Sequence, residues 1–216
     1  MLTGTTYAWY TDSVTSGKNT LIAGNLDVGL LHDNRLFPEP KTVDQNTDNL
    51  FKMNRWEPGC IAYENFQVRN EGSLGLKYRL SLNITEKNSV TINGTKYDLT
   101  DVIKIKVVNE RIDANATRAD ILGKLDGAQT LSKFMTSGTM TKLLHEDKIS
   151  PGKSDTFGVI LYWDPTDNDD IYNINNEKVV SDYDKDDPAH PNRLRIDIGV
   201  NLVATQLSAP EDANQN

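Results

Sequence analysis

Leu74-Gly75-Leu76-Lys77-Tyr78-Arg79-Leu80-Ser81-Leu82-Asn83-Ile84 alternates without a break, with apolar side chains at the even positions and Gly, Lys, Arg, Ser and Asn between them. Successive side chains of a strand point to opposite faces, so this stretch reads as a strand with one buried and one wet face. The pattern recurs at Ile103, Ile105 and Val107 around Lys104 and Lys106. It returns near the C-terminus, where Leu194, Ile196, Ile198, Val200, Leu202 and Ala204 alternate with residues that include Arg195, Asp197 and Asn201. Phe157 to Trp163 is apolar at nearly every position, which predicts a central strand covered on both faces. Asn93-Gly94, between Val90-Thr91-Ile92 and Thr95-Lys96-Tyr97, has the chemistry of a two-residue hairpin turn, because both residues tolerate positive φ.

Helical periodicity is scarce. The best stretch is Thr117 to Phe134, with Ile121, Leu122, Leu125, Leu131 and Phe134 irregularly spaced and Gly123 and Gly127 weakening it. One or two short helices inserted between strands are expected. Long strands joined by polar turns predict an all-β chain, an antiparallel β-sandwich with Greek-key or jelly-roll connections. No internal repeat or dividing linker is evident, and the tail from Ala209 to Asn216 is polar.

The 216 residues carry 23 basic and 31 acidic side chains, a net charge of −8. An acidic chain lacks the basic footprint of a nucleic-acid or anionic-membrane binder. No apolar run approaches the roughly 20 residues that cross a bilayer. The single cysteine, Cys60, excludes an intrachain disulfide and a cysteine-based zinc site. Between Asp164 and Pro188, nine acids stand against Lys178 and Lys185, so −7 of the charge lies in one turn-rich stretch. Read plainly it is a solvated loop. Read as a site, Asp164, Asp167, Asp169 and Asp170 offer the oxygen ligands that calcium takes, although the glycine and distal glutamate of an EF-hand loop are missing.

Catalytic motifs do not form. His32, His145 and His190 are far apart in sequence. His145-Glu146 begins like a zinc-protease helix, but the residue four after His145 is Ile149, and the second histidine ligand is lost. No Gly-x-Ser-x-Gly elbow appears, and Gly72-Ser73-Leu74-Gly75 has no phosphate-loop lysine. Asn83-Ile84-Thr85, Asn93-Gly94-Thr95 and Asn115-Ala116-Thr117 fit the glycosylation acceptor pattern, which matters only in a eukaryotic secretory pathway. Thr6-Tyr7-Ala8 places small residues at the −3 and −1 positions of a signal-peptidase site before Trp9, without the apolar region that normally precedes one. The two readings are a signal-peptide tail and an ordinary chain start.

Several segments, in order, resemble the TasA/camelysin family of secreted bacterial surface proteins. Tyr7-Ala8-Trp9-Tyr10-Thr11-Asp12 is similar to the family's cleavage region and aromatic mature start, and Ala23-Gly24-Asn25-Leu26-Asp27-Val28 to its early strand. Trp56-Glu57-Pro58-Gly59 followed by Phe66-Gln67-Val68-Arg69-Asn70-Glu71-Gly72-Ser73-Leu74 resembles its core signature. Pro151-Gly152-Lys153-Ser154-Asp155 resembles the loop before the central strand, and Val203-Ala204-Thr205-Gln206 the closing strand. Cys60 is a departure, standing where many members have a polar or aromatic residue.

The resemblance implies a jelly-roll sandwich, secretion to the matrix or cell surface of a bacterium, and assembly into biofilm-type fibres. In such fibres the N-terminal segment of one subunit completes the sheet of the next. It divides the chain into residues 1–13, a signal-peptide tail and donor strand, a sandwich over residues 14–207, and a tail over residues 208–216. The donor residues are Thr5, Thr6, Tyr7, Ala8, Trp9 and Tyr10, which are short, β-prone and aromatic. The plainer alternative is that this strand docks on its own domain. The implied partner is the chain itself, with other matrix or surface proteins as further candidates; no cofactor is required, and calcium is the one cation considered. Cys60 is expected to be a small packed residue, or else an intersubunit thiol. The rival functions are a camelysin-type surface metalloprotease and a monomeric adhesin or carbohydrate-binding module with Trp56 and Tyr183 as sugar platforms.

Overall fold

The opening alternation becomes the spine of the molecule. In the computed structural model, residues 11–15, 26–33, 40–43, 50–51, 56–87, 89–92, 95–135, 141–165 and 196–207 are described. The strands are β1 (Thr11–Thr15), β2 (Val28–Asp33), β3 (Lys41–Thr42), β4 (Ile61–Asn70), β5 (Leu76–Lys87), β6 (Val90–Ile92) and β7 (Thr95–Tyr97). They continue with β8 (Ile103–Val108), β9 (Gln129–Thr130), β10 (Thr141–Ile149), β11 (Ser154–Trp163) and β12 (Ile196–Gln206). Strands β1-β12-β5-β10 form a four-stranded sheet, and β3-β2-β4-β11-β8-β9 a six-stranded one. Every pairing is antiparallel.

The two sheets bury a shared core, as period-two patterning requires. From β5 come Leu76, Tyr78, Leu80 and Leu82, and from β12 Val200, Leu202 and Ala204. The other sheet contributes Phe66 and Val68 of β4, Ile103 and Ile105 of β8, and Phe157, Val159 and Leu161 of β11. Strand β11 lies between β4 and β8, the central place its apolar run predicts. Its other face is covered too, because Ile160 joins Tyr63, Ile112 and Ile121 in a second cluster. Gly158 breaks that apolar run for a steric reason: a Cβ there would sit 2.9 Å from side-chain atoms of Ile112 and Val108.

The helical stretch resolves into two short pieces, α1 (Arg118–Leu122) and α2 (Leu131–Phe134). Thr117 and Asp120 cap α1 reciprocally, and Gly123 closes it. Strand β5 begins at Leu76 rather than Leu74, whose carbonyl is instead taken by the Asn70 side chain. Leu194 and the Asn93-Gly94 turn lie outside the described residues, but β6 and β7 pair with Ile92 opposite Thr95, as a two-residue connection demands.

A short 3-10 turn, Leu99–Asp101, leads into β8. Its cap, Asp98, accepts from Lys87 Nζ at 2.7 Å and from the Thr100 amide at 3.0 Å. Burial raises the Asp98 carboxyl, but the bonds from Lys87 and Thr100 outweigh it and hold the group below the usual carboxylate range. A carboxyl lowered by folding stabilises the fold above its unfolded pKa of about 3.9, and that contribution is lost as pH falls through the folded value. Lys87→Met is therefore expected to shift acid unfolding, followed by circular dichroism, to higher pH. An unmoved acid midpoint would show that the pair contributes nothing.

Candidate functional site

Most of the described segments that carry the family resemblance converge in space. Leu76, the first residue of β5, lies opposite both Gln206 at the end of β12 and Ile149 at the end of β10. Thr11 starts β1 opposite Thr205. The starts of β1 and β5 and the ends of β12 and β10 therefore share one pole of the sandwich. Strand β1 begins there, directly after the expected donor residues.

Asn70 is the hub of this pole. Its Nδ2 donates to Leu74 O at 2.8 Å and to Ile149 O at 2.9 Å, while its Oδ1 accepts from the Gly72 amide at 3.1 Å. Its backbone N–H donates to Lys153 O, and its carbonyl accepts from the Gly152 amide. Gly152 has φ 69°, which suits glycine in this turn. Asp27 O accepts from the amides of Glu71 and Gly72. Thus Leu26-Asp27, the Asn70–Leu74 turn, Pro151–Asp155 and the end of β12 make one cross-braced structure. The Trp56–Gly59 segment lies by the far end of β11, where the Gly59 amide donates to Trp163 O and Trp163 N–H to Cys60 O.

Near the same pole a polar clasp joins the two sheets. Asp155 Oδ2, on β11, accepts from Tyr78 Oη of β5 at 2.6 Å and lies 2.9 Å from His145 Nε2 of β10. A bulge between Leu143 and His145 interrupts the β10–β5 register beside this contact. The His145 ring rests on Phe157, with centroids 4.4 Å apart. Burial, then the hydrogen bond to Asp155, pushes the Tyr78 phenol up, so it stays a donor.

Deeper in, Glu64 is fully buried and its carboxylate meets His32 Nδ1, also buried. Opposite residues of an antiparallel pair share a face, and Glu64 opposes Val159 while His32 opposes Phe66, so both lie on the inward side. On the outer side, Asn65 Nδ2 donates to Asp33 Oδ1 at 2.7 Å and to Ile112 O at 2.9 Å, and Arg111 Nε reaches both Asp33 oxygens at 3.2 Å. These bonds fasten the segment after β8 over the six-stranded sheet. The sequence reading missed these clusters. Two adjacent polar residues, Glu64-Asn65, between apolar Ile61-Ala62-Tyr63 and Phe66 were the available signal, since one of them must face each side of the strand.

The expected site residues fall as follows. Thr5, Thr6, Tyr7, Ala8, Trp9 and Tyr10 lie outside the described residues, as do Asp167, Asp169, Asp170, Tyr183 and His190. Asp164 is described, and its Oδ2 lies 3.0 Å from Lys104 Nζ. Cys60 is half-buried, and its Sγ accepts from the Glu57 amide at 3.4 Å. Trp56 is half-buried and packs against the main core.

Among the described residues no helix is long and apolar enough to cross a membrane. The arrangement defines a β-sandwich whose N-terminal strand closes a sheet edge at the pole built by its sequence signatures. The chain belongs to the camelysin metallo-endopeptidase family, whose profile matches residues 1–184; the family includes TasA and is one of surface-associated proteins. No curated protein matches the chain. The family name implies a metal, and the described residues gather no set that fits one. His32 and His145 each meet a carboxylate, and among the described residues no three His, Cys, Asp or Glu side chains gather closely enough to hold an ion.

Proposed function

We propose that this chain is a structural subunit of an extracellular fibre, of jelly-roll winding, assembling head to tail through its N-terminal segment. One observation supports this reading above the others: β1 is the edge strand of its sheet, and its first residue, Thr11, stands at the pole where most of the described signature segments meet. An uncharged, aromatic segment such as Thr5–Tyr10 can add main-chain hydrogen bonds to another sheet and seat alternate side chains in it. Burying Trp9 and Tyr10 in a neighbour would contribute about 2–3 kcal/mol each. Such contact uses two different surfaces, does not close, and yields a filament. The partner is a second copy, with other surface proteins as accessories. No cofactor is needed; the proposed part of calcium is to screen the acidic run between neighbours.

Deleting Met1 to Ser13 is expected to leave a folded monomer that forms no fibres, because β12, β5 and β10 keep their own ladders. Sedimentation and electron microscopy of the truncated chain read this directly, and normal fibres from it would overturn donation by the N-terminus. The family name favours one rival, a metalloprotease. Casein cleavage by the purified chain, abolished by a chelator, is the result that would establish that activity.

A further inference from the structure

Four rings follow one another through the core. Phe51 meets Phe66 edge-on with centroids 6.5 Å apart, Phe66 lies 5.8 Å from Phe157, and Phe157 lies 4.4 Å from His145. His145 is the polar end of this series, where it meets Asp155 and Tyr78. Strand β10, which carries it, is the outermost described strand of its sheet, and the bulge between Leu143 and His145 interrupts its ladder to β5. The contact to Asp155 gives β10 a second fastening, to β11 of the opposite sheet. We propose that Tyr78, His145 and Asp155 form a proton-operated latch, which holds β10 to β11 more tightly when His145 is charged. The latch is a property of the single chain and does not depend on fibre assembly.

The contact fixes where the proton goes. An ionised carboxylate only accepts, and Asp155 Oδ2 already accepts from Tyr78 Oη at 2.6 Å, so His145 Nε2 donates across its 2.9 Å. Nδ1 is then the nitrogen that gains or loses a proton, and the bond persists in both states. What changes is its strength, because a charge-assisted bond is roughly twice as strong as a neutral one. The His145 ring also rests on Phe157, and an aromatic ring attracts a cation. The side chains of His145 and Asp155 are 19% and 25% exposed, so protons reach the pair while water screens it only in part.

Few other ionisable groups face the latch. Asp147, on the same side of β10, acts on Tyr78 through space and adds to the pull on a charged imidazole. Lys142 stands opposite Leu82 beyond the bulge, with its Nζ 6.0 Å from the Phe134 ring. Lys153, two residues before Asp155, is exposed in the turn. Glu146 and Lys148 lie opposite Arg79 and Lys77, on the outer face. From β4 and β2 the nearest are Glu64 and His32, on the far side of the Phe66–Phe157 pair. Strand β12 faces the latch with Leu202 and Ala204, which carry no charge.

Imidazole changes charge between about pH 5 and 8. Protonated His145 has an anionic partner in the fold that the unfolded chain lacks. The latch therefore adds stability on the acid side of that range, and the addition is lost as pH rises. Tyr78 remains a donor throughout, because burial and then its bond to Asp155 push the phenol up.

The test is urea unfolding of the full chain, His145→Gln and Tyr78→Phe at about pH 5.5 and about pH 8.5. Glutamine keeps a neutral donor toward Asp155 and cannot be charged. The folding constant of the parent chain relative to His145→Gln is expected to be about fivefold larger at the lower pH than at the higher. Tyr78→Phe is expected to lose stability at both pH values and to keep the parent's pH dependence. An equal ratio of parent to His145→Gln at the two pH values is what a merely packed histidine gives, and it would overturn the latch. If glutamine prevents folding, nitrogen NMR of the imidazole in the parent chain decides, with His145 assigned by its contacts to the Phe157 ring. The Nε2–H tautomer is expected at the higher pH, and an Nδ1–H tautomer there would overturn the latch.

Discussion

Replacing Glu64 with alanine is expected to lower the stability of the fold by about 3–5 kcal/mol, the range for stripping one partner from a buried ion pair. Glu64 is 0% exposed and His32 3% exposed, so neither group can recover water when the other is removed. The loss would combine the broken contact to the buried His32 imidazole with a cavity beside Val159, its neighbour on β11. His32→Leu together with Glu64→Leu is expected to recover most of that loss, because apolar replacement removes both desolvation penalties at once. Urea unfolding of the single and double variants measures the coupling. If Glu64→Ala costs less than about 1 kcal/mol, or if the double loss is simply the sum of two single losses, the pair is not the buried unit described.

Asn70→Ala carries the second large effect, by a different route. No cavity of consequence opens, but the Leu74 and Ile149 carbonyls and the Gly72 amide lose their side-chain partner together. A buried polar group left unpaired costs about 1–3 kcal/mol. Water reaching part of the turn would limit the total to about 2–4 kcal/mol. Asn70→Asp keeps the acceptor for Gly72 but sets a carboxylate against two carbonyl oxygens, so it is expected to rescue little. Urea midpoints for both variants decide the matter, and aspartate performing as well as asparagine would show that the donated bonds are dispensable.

Much of the sandwich was legible in the chain because alternation is a local property. Leu76 to Ile84 needs no partner to declare one buried face, and Phe157 to Trp163 declares two. Pro58-Gly59 and Pro151-Gly152, quoted from the sequence only for the resemblance, each place a glycine where φ is positive, at 93° and 69°. The buried ionic and polar clusters were hidden because they are products of strand order. His32 meets Glu64 only because β2 lies beside β4. Tyr78, Asp155 and His145 meet because β5 and β10, neighbours in one sheet, lie across the core from β11 of the other. Seen singly, each is an ordinary polar residue in a strand. Asn70 is an instructive middle case. Its place in the Asn70–Leu74 signature was readable, but its bond to Ile149, 79 residues away, was not.

The acidic stretch takes on a narrower meaning beside this fold. Asp164, one of its proposed calcium ligands, already faces Lys104. A cation at that position would have to compete with an ammonium group.

The account stands on self-assembly more than on any single contact, and negative-stain microscopy of the freshly purified full chain tests it most directly, with and without calcium. It predicts unbranched filaments from the intact chain, with calcium altering their yield but not their existence. Dispersed single particles under every condition, together with chelator-sensitive cleavage of casein, would contradict it and return the chain to the activity its family is named for.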